Sequence, residues 1–329
     1  MSELISDQFF SILIAGLLVG IVVGLTGMGG GALMTPALIF LGVGHTTAIV
    51  TADLTAAAIY KSGGAITHWR QGSPNVRLAA YLIAGSVPMA FLGPWLINGL
   101  IDDPTDLENT LKMCIGFALL FAASTYALRL FINMRNVNSG TGEPDANPHI
   151  RLVPTVLVGM LGGLLVGVTS VGSGSVIMVA LLMLYPGLPA VKLVGTDLMQ
   201  AVPLVLAAAL SNIAIHGLEW DLLIPLVIGS VPGTILGSRL APRVAQSIIR
   251  RGIVIVLTMS GTALLFKAGF HPYGEDKDTL EAITVAVIGL VMLFLVPLVW
   301  GALRKQNGLP AFGAPTVAEL ERTPPRRKV

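Results

Sequence analysis

Long apolar segments alternate with short polar or glycine-rich breaks along almost the whole chain. A membrane-spanning helix needs about 20 predominantly apolar residues, and most of the segments approach that length. The pattern therefore predicts an all-α polytopic membrane protein. The apolar runs lie near residues 9–25, 30–43, 46–68, 77–98, 110–132, 152–168, 172–186, 190–215, 222–241, 248–268 and 279–303.

Two of the runs, 30–43 and 172–186, are too short to span a membrane comfortably. Each overlaps a glycine-rich stretch, which reads GLTGMGGGA at 24–32 and GVTSVGSGS at 167–175. Irregular backbone at membrane depth is tolerated only where protein or a wet cavity surrounds it. Each short run is therefore predicted to form half of a Gly-rich re-entrant or broken-helix hairpin.

The two halves of the chain resemble each other in sequence. The two glycine-rich stretches share four of nine positions, and IVTADL at 49–54 matches LVGTDL at 193–198. AGSVPMAFLG at 84–93 matches IGSVPGTILG at 228–237, with six of ten positions identical. The three matches occur in order at a spacing of 143 or 144 residues, which predicts two structural repeats.

This repeat divides the chain into five parts. We predict transmembrane repeat 1 at 9–132, a polar cytoplasmic linker at 133–150 and transmembrane repeat 2 at 151–268. An additional transmembrane helix follows at 279–303. The basic tail at 304–329 is expected to be cytoplasmic and disordered.

Composition supports the membrane assignment and excludes several other classes. The chain is 54% hydrophobic and 12% charged, whereas soluble domains carry about 25% charged residues. Its single cysteine, Cys114, excludes an internal disulfide and a cysteine-based metal cluster. Residues 1–8 lack the basic start of a signal peptide, so the first apolar run is expected to be retained. No cofactor and no nucleic acid partner is expected.

The distribution of basic residues predicts the orientation. We place the linker and the tail in the cytoplasm. We also assume that the chain enters and leaves each hairpin on the same side of the membrane. All lysines and arginines then lie at the cytoplasmic side except Lys61, Lys112, Lys267 and Lys277. The first repeat begins outside and the second inside, so the two repeats are predicted to have inverted topology.

The glycine-rich breaks have the chemistry of an anion site. Glycine permits unusual backbone angles, and backbone N–H groups left unpaired at a helix break can bind an anion. The predicted substrate-binding residues are Thr26, Gly27, Gly29, Gly30 and Gly31 of the first stretch, Thr169, Ser170, Gly172, Ser173, Gly174 and Ser175 of the second, and Lys61. The four-residue spacing of Gly16, Gly20 and Gly24, and of Gly159, Gly163 and Gly167, predicts helix packing instead.

Three charged residues lie deep in apolar runs: Asp53, Lys61 and Asp197. A charge there costs at least about 2.5–3.5 kcal/mol, so such residues usually have a role. The aspartates occupy equivalent repeat positions and could carry a coupling proton or sodium ion, or each could cap a neighbouring backbone break. Lys61 could attract an anionic substrate or snorkel to the inner surface. Asp53 and Lys61 are eight residues apart on one helix, which does not favour a direct ion pair.

Several motifs together resemble a known family. GLTGMGGGALMTPAL, VTADLTAAAIYKSGGAITHWRQG and VGTDL followed by LVIGSVPGTILGSRLA are similar to the sulfite exporter TauE/SafE family of membrane permeases. The resemblance extends from about residue 10 to 268. It implies transport of small anions, typically sulfite, sulfonates or related organosulfur compounds, across a bacterial inner membrane. It also implies that the glycine loops at 27–31 and 172–174 are the substrate-region motifs.

In one respect the chain departs from that family. Asp53 and Asp197 stand where many members have a small hydroxyl or amide residue, so TADL and GTDL indicate a subgroup variant. The helix at 279–303 and the tail lie outside the resemblance.

Residues and resemblance together predict a secondary transporter for a small anion that works by alternating access, with no catalytic residues and no metal. A passive anion channel stays open as an alternative and would conduct without saturation. A weaker alternative is an intramembrane serine hydrolase that uses Ser173 or Ser175 with His216. Neither serine has a glycine two positions before it, as a nucleophile elbow requires. The coupling ion, the direction of transport and the oligomeric state stay open.

Overall fold

The structure, a computed structural model, describes residues 2–26, 30–70, 74–139, 148–172, 174–241, 246–272 and 278–306. These residues form eleven α-helices and no strand, one helix for each predicted apolar run, which confirms the all-α fold. The helices are α1 (Ser2–Thr26), α2 (Gly31–Leu41), α3 (Thr46–Arg70), α4 (Val76–Leu100), α5 (Pro104–Ser139), α6 (Leu152–Thr169), α7 (Val176–Leu184), α8 (Ala190–His216), α9 (Trp220–Leu240), α10 (Gln246–Lys267) and α11 (Asp278–Gln306).

Seven helices of the described chain are long and apolar enough to cross a membrane. The segments are Gln8–Thr26, Val76–Leu100, Pro104–Thr125, Leu152–Thr169, Lys192–His216, Trp220–Leu240 and Thr279–Gln306. The helices that follow the glycine-rich stretches are short, 11 residues in α2 and 9 in α7, as predicted. α3 has 25 residues but is more polar, because it contains Asp53, Lys61 and several threonines.

The predicted packing role of the spaced glycines is confirmed. α1 packs against α9, and a Cβ at Gly20 would lie 2.6 Å from the carbonyl oxygen of Ser230. α6 packs against α4 in the same way, because a Cβ at Gly159 would lie 2.6 Å from the carbonyl oxygen of Leu82. Two helices can approach this closely only where one of them lacks side chains at the contact.

The contacts also give the directions of the helices. α3 and α8, which contain the equivalent TADL and GTDL motifs, run antiparallel. Gly64 near the end of α3 lies beside Leu198 near the start of α8, whereas Thr47 at the start of α3 lines a small cavity with His216 at the end of α8. Opposite directions of equivalent helices are what an inverted repeat requires. The inversion across a membrane stays a prediction.

Two hydrogen bonds hold α8 in place between its neighbours. The Ser211 hydroxyl donates to the carbonyl oxygen of Phe91 on α4 at 2.5 Å, and the Asn212 amide donates to the carbonyl oxygen of Gly167 on α6 at 3.1 Å. Polar side chains commonly join helices in this way within membranes. They position the C-terminal part of α8 against α4 and the end of α6.

The helices pass the predicted boundaries at three places, since α1 begins at Ser2, α11 ends at Gln306 and α5 ends inside the predicted linker. α5 continues to Ser139, so its end overlaps the predicted linker 133–150. Residues 133–139 are polar, but they contain neither glycine nor proline, and the helix therefore meets no breaker before Gly140. α11 includes the predicted additional helix, whereas residues 307–329 of the predicted tail lie outside the described residues. The division into five parts stays a prediction.

Candidate functional site

The two glycine-rich breaks meet inside the helix bundle. Gly31, the first residue of α2, packs directly on the backbone of Ser170, and a Cβ at Gly31 would overlap the carbonyl oxygen of Ser170. Ser170 follows α6 in the left-handed conformation, with φ of 60°, and its N–H caps the helix by donating to the Val166 carbonyl oxygen. The sequence places these residues 139 positions apart, and the fold brings them into contact.

Asp53 lies at this contact and is 0% exposed. Its Oδ2 accepts a hydrogen bond from the Thr35 hydroxyl of α2 at 2.6 Å and another from the Ser170 hydroxyl at 2.9 Å. Its Oδ1 has no hydrogen-bond partner among the described residues. Asp53 thus joins three segments, α2, α3 and the end of α6, and keeps one buried acceptor oxygen for a further group.

Tyr60 holds the first break from the same face of α3. Its hydroxyl accepts a hydrogen bond from the N–H of Gly30, the residue before α2, at 2.8 Å. Neither Thr35 nor Tyr60 is among the site residues predicted from the sequence. Helical spacing could have marked both residues. Tyr60 lies seven residues after Asp53 on the same face of α3, and Thr35 lies four residues after Gly31 on the same face of α2.

Asp197, the repeat equivalent of Asp53, has different surroundings. It is buried on α8, and its Oδ1 accepts a hydrogen bond from the amide of Gln200 at 3.1 Å. The side-chain carbonyl oxygen of Gln200, Oε1, is buried and has no hydrogen-bond partner within the described chain. Gln200 was also not predicted, although it lies one helical turn after Asp197 on the same face.

Lys61 is the positive charge of the site. It is buried on α3, and both aspartates lie near enough to interact electrostatically with its ammonium group. The structure therefore groups all three charges that the sequence places in apolar runs. A lysine that snorkelled to the inner surface would instead be exposed at its tip.

The remaining predicted residues fall into three groups. The hydroxyls of Thr26 and Thr169 donate to carbonyl oxygens of their own helices, those of Val22 and Leu165 at 2.7 and 2.6 Å, so in this conformation neither is free to donate to an anion. Gly172 has a φ of +126°, and Gly174 and Ser175 are buried beside it, before α7. The buried Ser175 hydroxyl has no hydrogen-bond partner in the described ranges. Gly27, Gly29 and Ser173 lie outside the described residues.

The site is closed to solvent in this conformation. Thr35 and Ser170 are buried together with Asp53. The described residues also contain no cluster of three or more histidine, cysteine, aspartate or glutamate side chains that could hold a metal ion. The arrangement is a buried set of charges, hydroxyls and broken-helix backbone.

Such a site inside a bundle of long apolar helices is typical of a multi-pass membrane transporter. Residues 12–264 match the family model described as "Sulfite exporter TauE/SafE". The chain belongs to the sulfite exporter TauE/SafE family.

Curated relatives carry names that agree with this class. The probable membrane transporter protein YjnA of Bacillus subtilis (strain 168) is 36% identical over 256 residues, which are 78% of this chain and 99% of that protein. The probable membrane transporter protein YdhB of the same organism is 26% identical over 260 residues, with coverage of 78% and 99%. A probable membrane transporter protein of Xylella fastidiosa (strain 9a5c) is 28% identical over 240 residues, with coverage of 71% and 85%.

No solved structure matches the chain. The family and the names of the relatives are those of membrane transporters, and on that ground the predictions of a multi-pass membrane transporter and of a protein that is not an enzyme are confirmed.

Proposed function

We propose that this protein is a secondary transporter for a small anion of the sulfite, sulfonate or organosulfur class. The observation that carries the proposal is the contact of the two glycine-rich breaks at the buried Asp53, where Gly31 packs on Ser170. Helix breaks expose backbone N–H groups. Two breaks that meet at one point provide hydrogen-bond donors to an anion from two sides. Lys61 adds the positive charge that attracts an anion.

The crowding at this contact favours a small substrate. A single methyl group at Gly31 would already collide with the backbone of Ser170, so the two breaks leave little space between them. A compact anion such as sulfite, or the sulfonate group of a larger molecule, fits such a place better than a bulky substrate. The name of the family model supports the same class of substrate.

The buried carboxylates support coupling to a proton or a sodium ion. A buried charge with an unpaired oxygen is unfavourable unless a proton, a cation or another donor joins it. Oδ1 of Asp53 is such an oxygen, and Asp197 with Gln200 supplies further buried acceptors. We infer that at least one of the two aspartates carries the coupling ion.

The closed site supports alternating access rather than a passive channel. Asp53 is 0% exposed, so the substrate reaches it only after the helices move. An open pore would leave the site in contact with water. We propose that the two halves rock about the contact between the breaks, in a bacterial inner membrane with the C-terminus in the cytoplasm.

Reconstituted transport tests this function. The full chain in proteoliposomes is offered sulfite, sulfate, taurine, sulfoacetate and chloride at a fixed membrane potential. We expect saturable uptake of a sulfur-containing anion that excess chloride does not compete. Conduction of all the anions without saturation would instead indicate a channel.

Two matched variants connect the activity to the site. Lys61→Gln is expected to raise the KM for the anion about tenfold or more, because it removes the charge that faces the substrate. Arg239→Gln removes one exposed positive charge from α9 and is expected to leave the KM unchanged. Equal effects of the two variants would contradict a substrate role for Lys61.

A further inference from the structure

A cavity of about 330 Å³ lies between α5, α10 and α11 and shares no lining residue with the site around Asp53. Its walls are mainly aliphatic, with Leu120 of α5, Val254 of α10 and Val296 of α11 among them. From Met292 to Trp300 the cavity follows α11 over eight residues, roughly 12 Å at 1.5 Å per residue. The transport proposal does not use this space.

α11 gives the cavity a border to the membrane. Only 6% of its most apolar stretch is buried, and Leu290, Leu293 and Phe294 are exposed. A helix this apolar and this exposed contacts lipid acyl chains in a membrane. The family match ends at residue 264, so α11 lies outside it. The cavity depends on this helix.

One end of the cavity is positively charged. The guanidinium of Arg251 on α10 lies over the Trp300 ring, 5.9 Å from its centroid. Arg304, one turn further along α11, is only 3% exposed, and its charge lies near enough to Arg251 for the two to repel each other. Like charges in a poorly hydrated place destabilise each other, whatever else each contacts, and an anion beside both relieves the repulsion.

The acidic residues of the lining helices lie far from this end. α10 contains no aspartate or glutamate, and those of α5 and α11 occur near the first turns of these helices, with Glu108 and Glu281 as the last of them. α5 runs antiparallel to α10, since Gly116 lies beside Leu265 and Leu120 beside Gly261. The start of α5 is therefore at the other end of α10 from Arg251.

We propose that this cavity binds one anionic phospholipid, with its phosphate beside Arg251 and Arg304 and an acyl chain along the aliphatic wall. A basic pocket between transmembrane helices on the cytoplasmic side is typical of sites for anionic lipid headgroups, and the predicted orientation places both arginines on that side. In that orientation Trp300 lies near the cytoplasmic end of α11, which ends at Gln306. A small hydrophilic anion would leave the aliphatic wall without a partner.

Lipid titration of the full chain tests the proposal. The protein is purified in detergent, stripped of lipid and titrated with phosphatidylglycerol or with phosphatidylcholine of the same acyl chains. Binding is followed by native mass spectrometry and by the rise in Tm that a ligand of the folded state produces. We expect phosphatidylglycerol to bind at least about tenfold more tightly than phosphatidylcholine, because only its headgroup is a net anion.

Three variants locate the binding. Arg251→Gln is expected to reduce the affinity for phosphatidylglycerol about tenfold, whereas Arg239→Gln, at an exposed arginine of α9, is expected to leave it unchanged. Ala127→Leu extends an exposed side chain of α5 into the cavity and is expected to weaken the binding of both lipids. Because Ala127 and Arg251 are not fully buried, these variants are expected to fold.

Any one of three outcomes would overturn the proposal. Equal affinity of the wild type for the two lipids, or an unchanged affinity in Arg251→Gln, would show that the arginines do not select the headgroup. Equal stabilisation by inorganic phosphate alone would show an ion site without a lipid. If Ala127→Leu changes the oligomeric state and leaves lipid affinity intact, the cavity is an interface between copies of the chain.

Discussion

The two aspartates are equivalent in the repeat but not in their surroundings. Asp53 accepts from the hydroxyls of Thr35 and Ser170, whereas Asp197 accepts from the amide of Gln200. The neighbours are not duplicated, because Met178 stands at the repeat position of Thr35 and Ala56 at that of Gln200. Divergence of the neighbours therefore gives each aspartate its own chemistry, and Asp53 has the carboxylate oxygen that lacks a partner.

Asp53→Asn tests the coupling role. Asparagine keeps the size of the side chain and an acceptor for the two hydroxyls, but it carries no charge and releases no proton. We expect the variant to exchange substrate across the membrane and to lose its accumulation against a gradient. One charge moved through 100 mV is worth about 2.3 kcal/mol, close to a fifty-fold concentration ratio, so proteoliposome uptake will show the loss.

The companion variants separate coupling from structure. Asp197→Asn makes the same change at the equivalent position, and Asp221→Asn removes an exposed carboxylate at the start of α9. The exposed control is expected to accumulate substrate as the wild type does. If Asp53→Asn and Asp197→Asn both accumulate substrate as the wild type does, the aspartates are structural and the coupling hypothesis fails.

Gly172 lies in the second glycine-rich break, where both its backbone conformation and the nearby Leu165 side chain disfavour a larger residue. Its φ of +126° is a region that only glycine adopts readily, and a β-branched residue is the least suited to it. We expect Gly172→Val to abolish transport while the protein still inserts into the membrane, as measured by uptake and by membrane fractionation. Gly99→Val is the control, because a Cβ there meets nothing within 4 Å. Normal uptake by inserted Gly172→Val would refute a role for this break in the site.

At the scale of helices, glycine surfaces hold the bundle together. The seam between α1 and α9 and the seam between α4 and α6 have the same construction, in which a glycine of one helix touches backbone atoms of the other. In both seams the paired helices run parallel, since Gly16 lies beside Leu226 and Gly24 beside Ser238, and Gly85 lies beside Val156 and Gly93 beside Leu164. The seams thus join helices of the first half of the chain to helices of the second half.

Gly20→Leu tests the seam between α1 and α9. The leucine Cβ would lie 2.6 Å from the Ser230 carbonyl oxygen, so the helices must separate, and overpacking of this kind costs about 1–3 kcal/mol. We expect a lower Tm in detergent. Gly252→Leu, on α10, has no atom within 4 Å of its Cβ and is expected to keep the wild-type Tm. Equal Tm values for the two variants would contradict the packing role.

At the scale of the whole molecule, the directions of α3 and α8 agree with the inverted topology, and the charges predict its orientation. α3 and α8 run antiparallel, and the charges at their ends predict which side of the membrane each end faces. With the end of α5 in the cytoplasm, the loop between α8 and α9 faces outward. This orientation also places Arg251 and Arg304 at the cytoplasmic side.

Cysteine labelling tests the orientation. In a Cys114→Ser background, cysteines at Ser139 and at Glu219 are expected to react from opposite sides with a membrane-impermeant reagent. The Glu219 site should label in intact cells and the Ser139 site only after the membrane is opened. Labelling of both sites in intact cells would exclude the inverted topology.

The sequence by itself determined the helices and their order. Apolar length predicted each of the eleven helices of the described chain, and glycine spacing predicted that α1 and α6 pack closely on other helices, though not on which ones. These properties are local, since hydropathy over a window and the space left by a missing side chain depend on nearby residues only. The end of α5 escaped prediction because polar residues without glycine or proline do not stop a helix.

Only the tertiary structure decided what Asp53 contacts. Its partners Thr35 and Ser170 come from two other segments, and Ser170 is 117 residues away along the chain. No local pattern encodes such a meeting, because it depends on how two breaks in separate halves pack against each other. The cavity that ends at Arg251 and Trp300 also depends on tertiary packing. Each of its three helices is an ordinary apolar segment, and they enclose the cavity only when they are assembled.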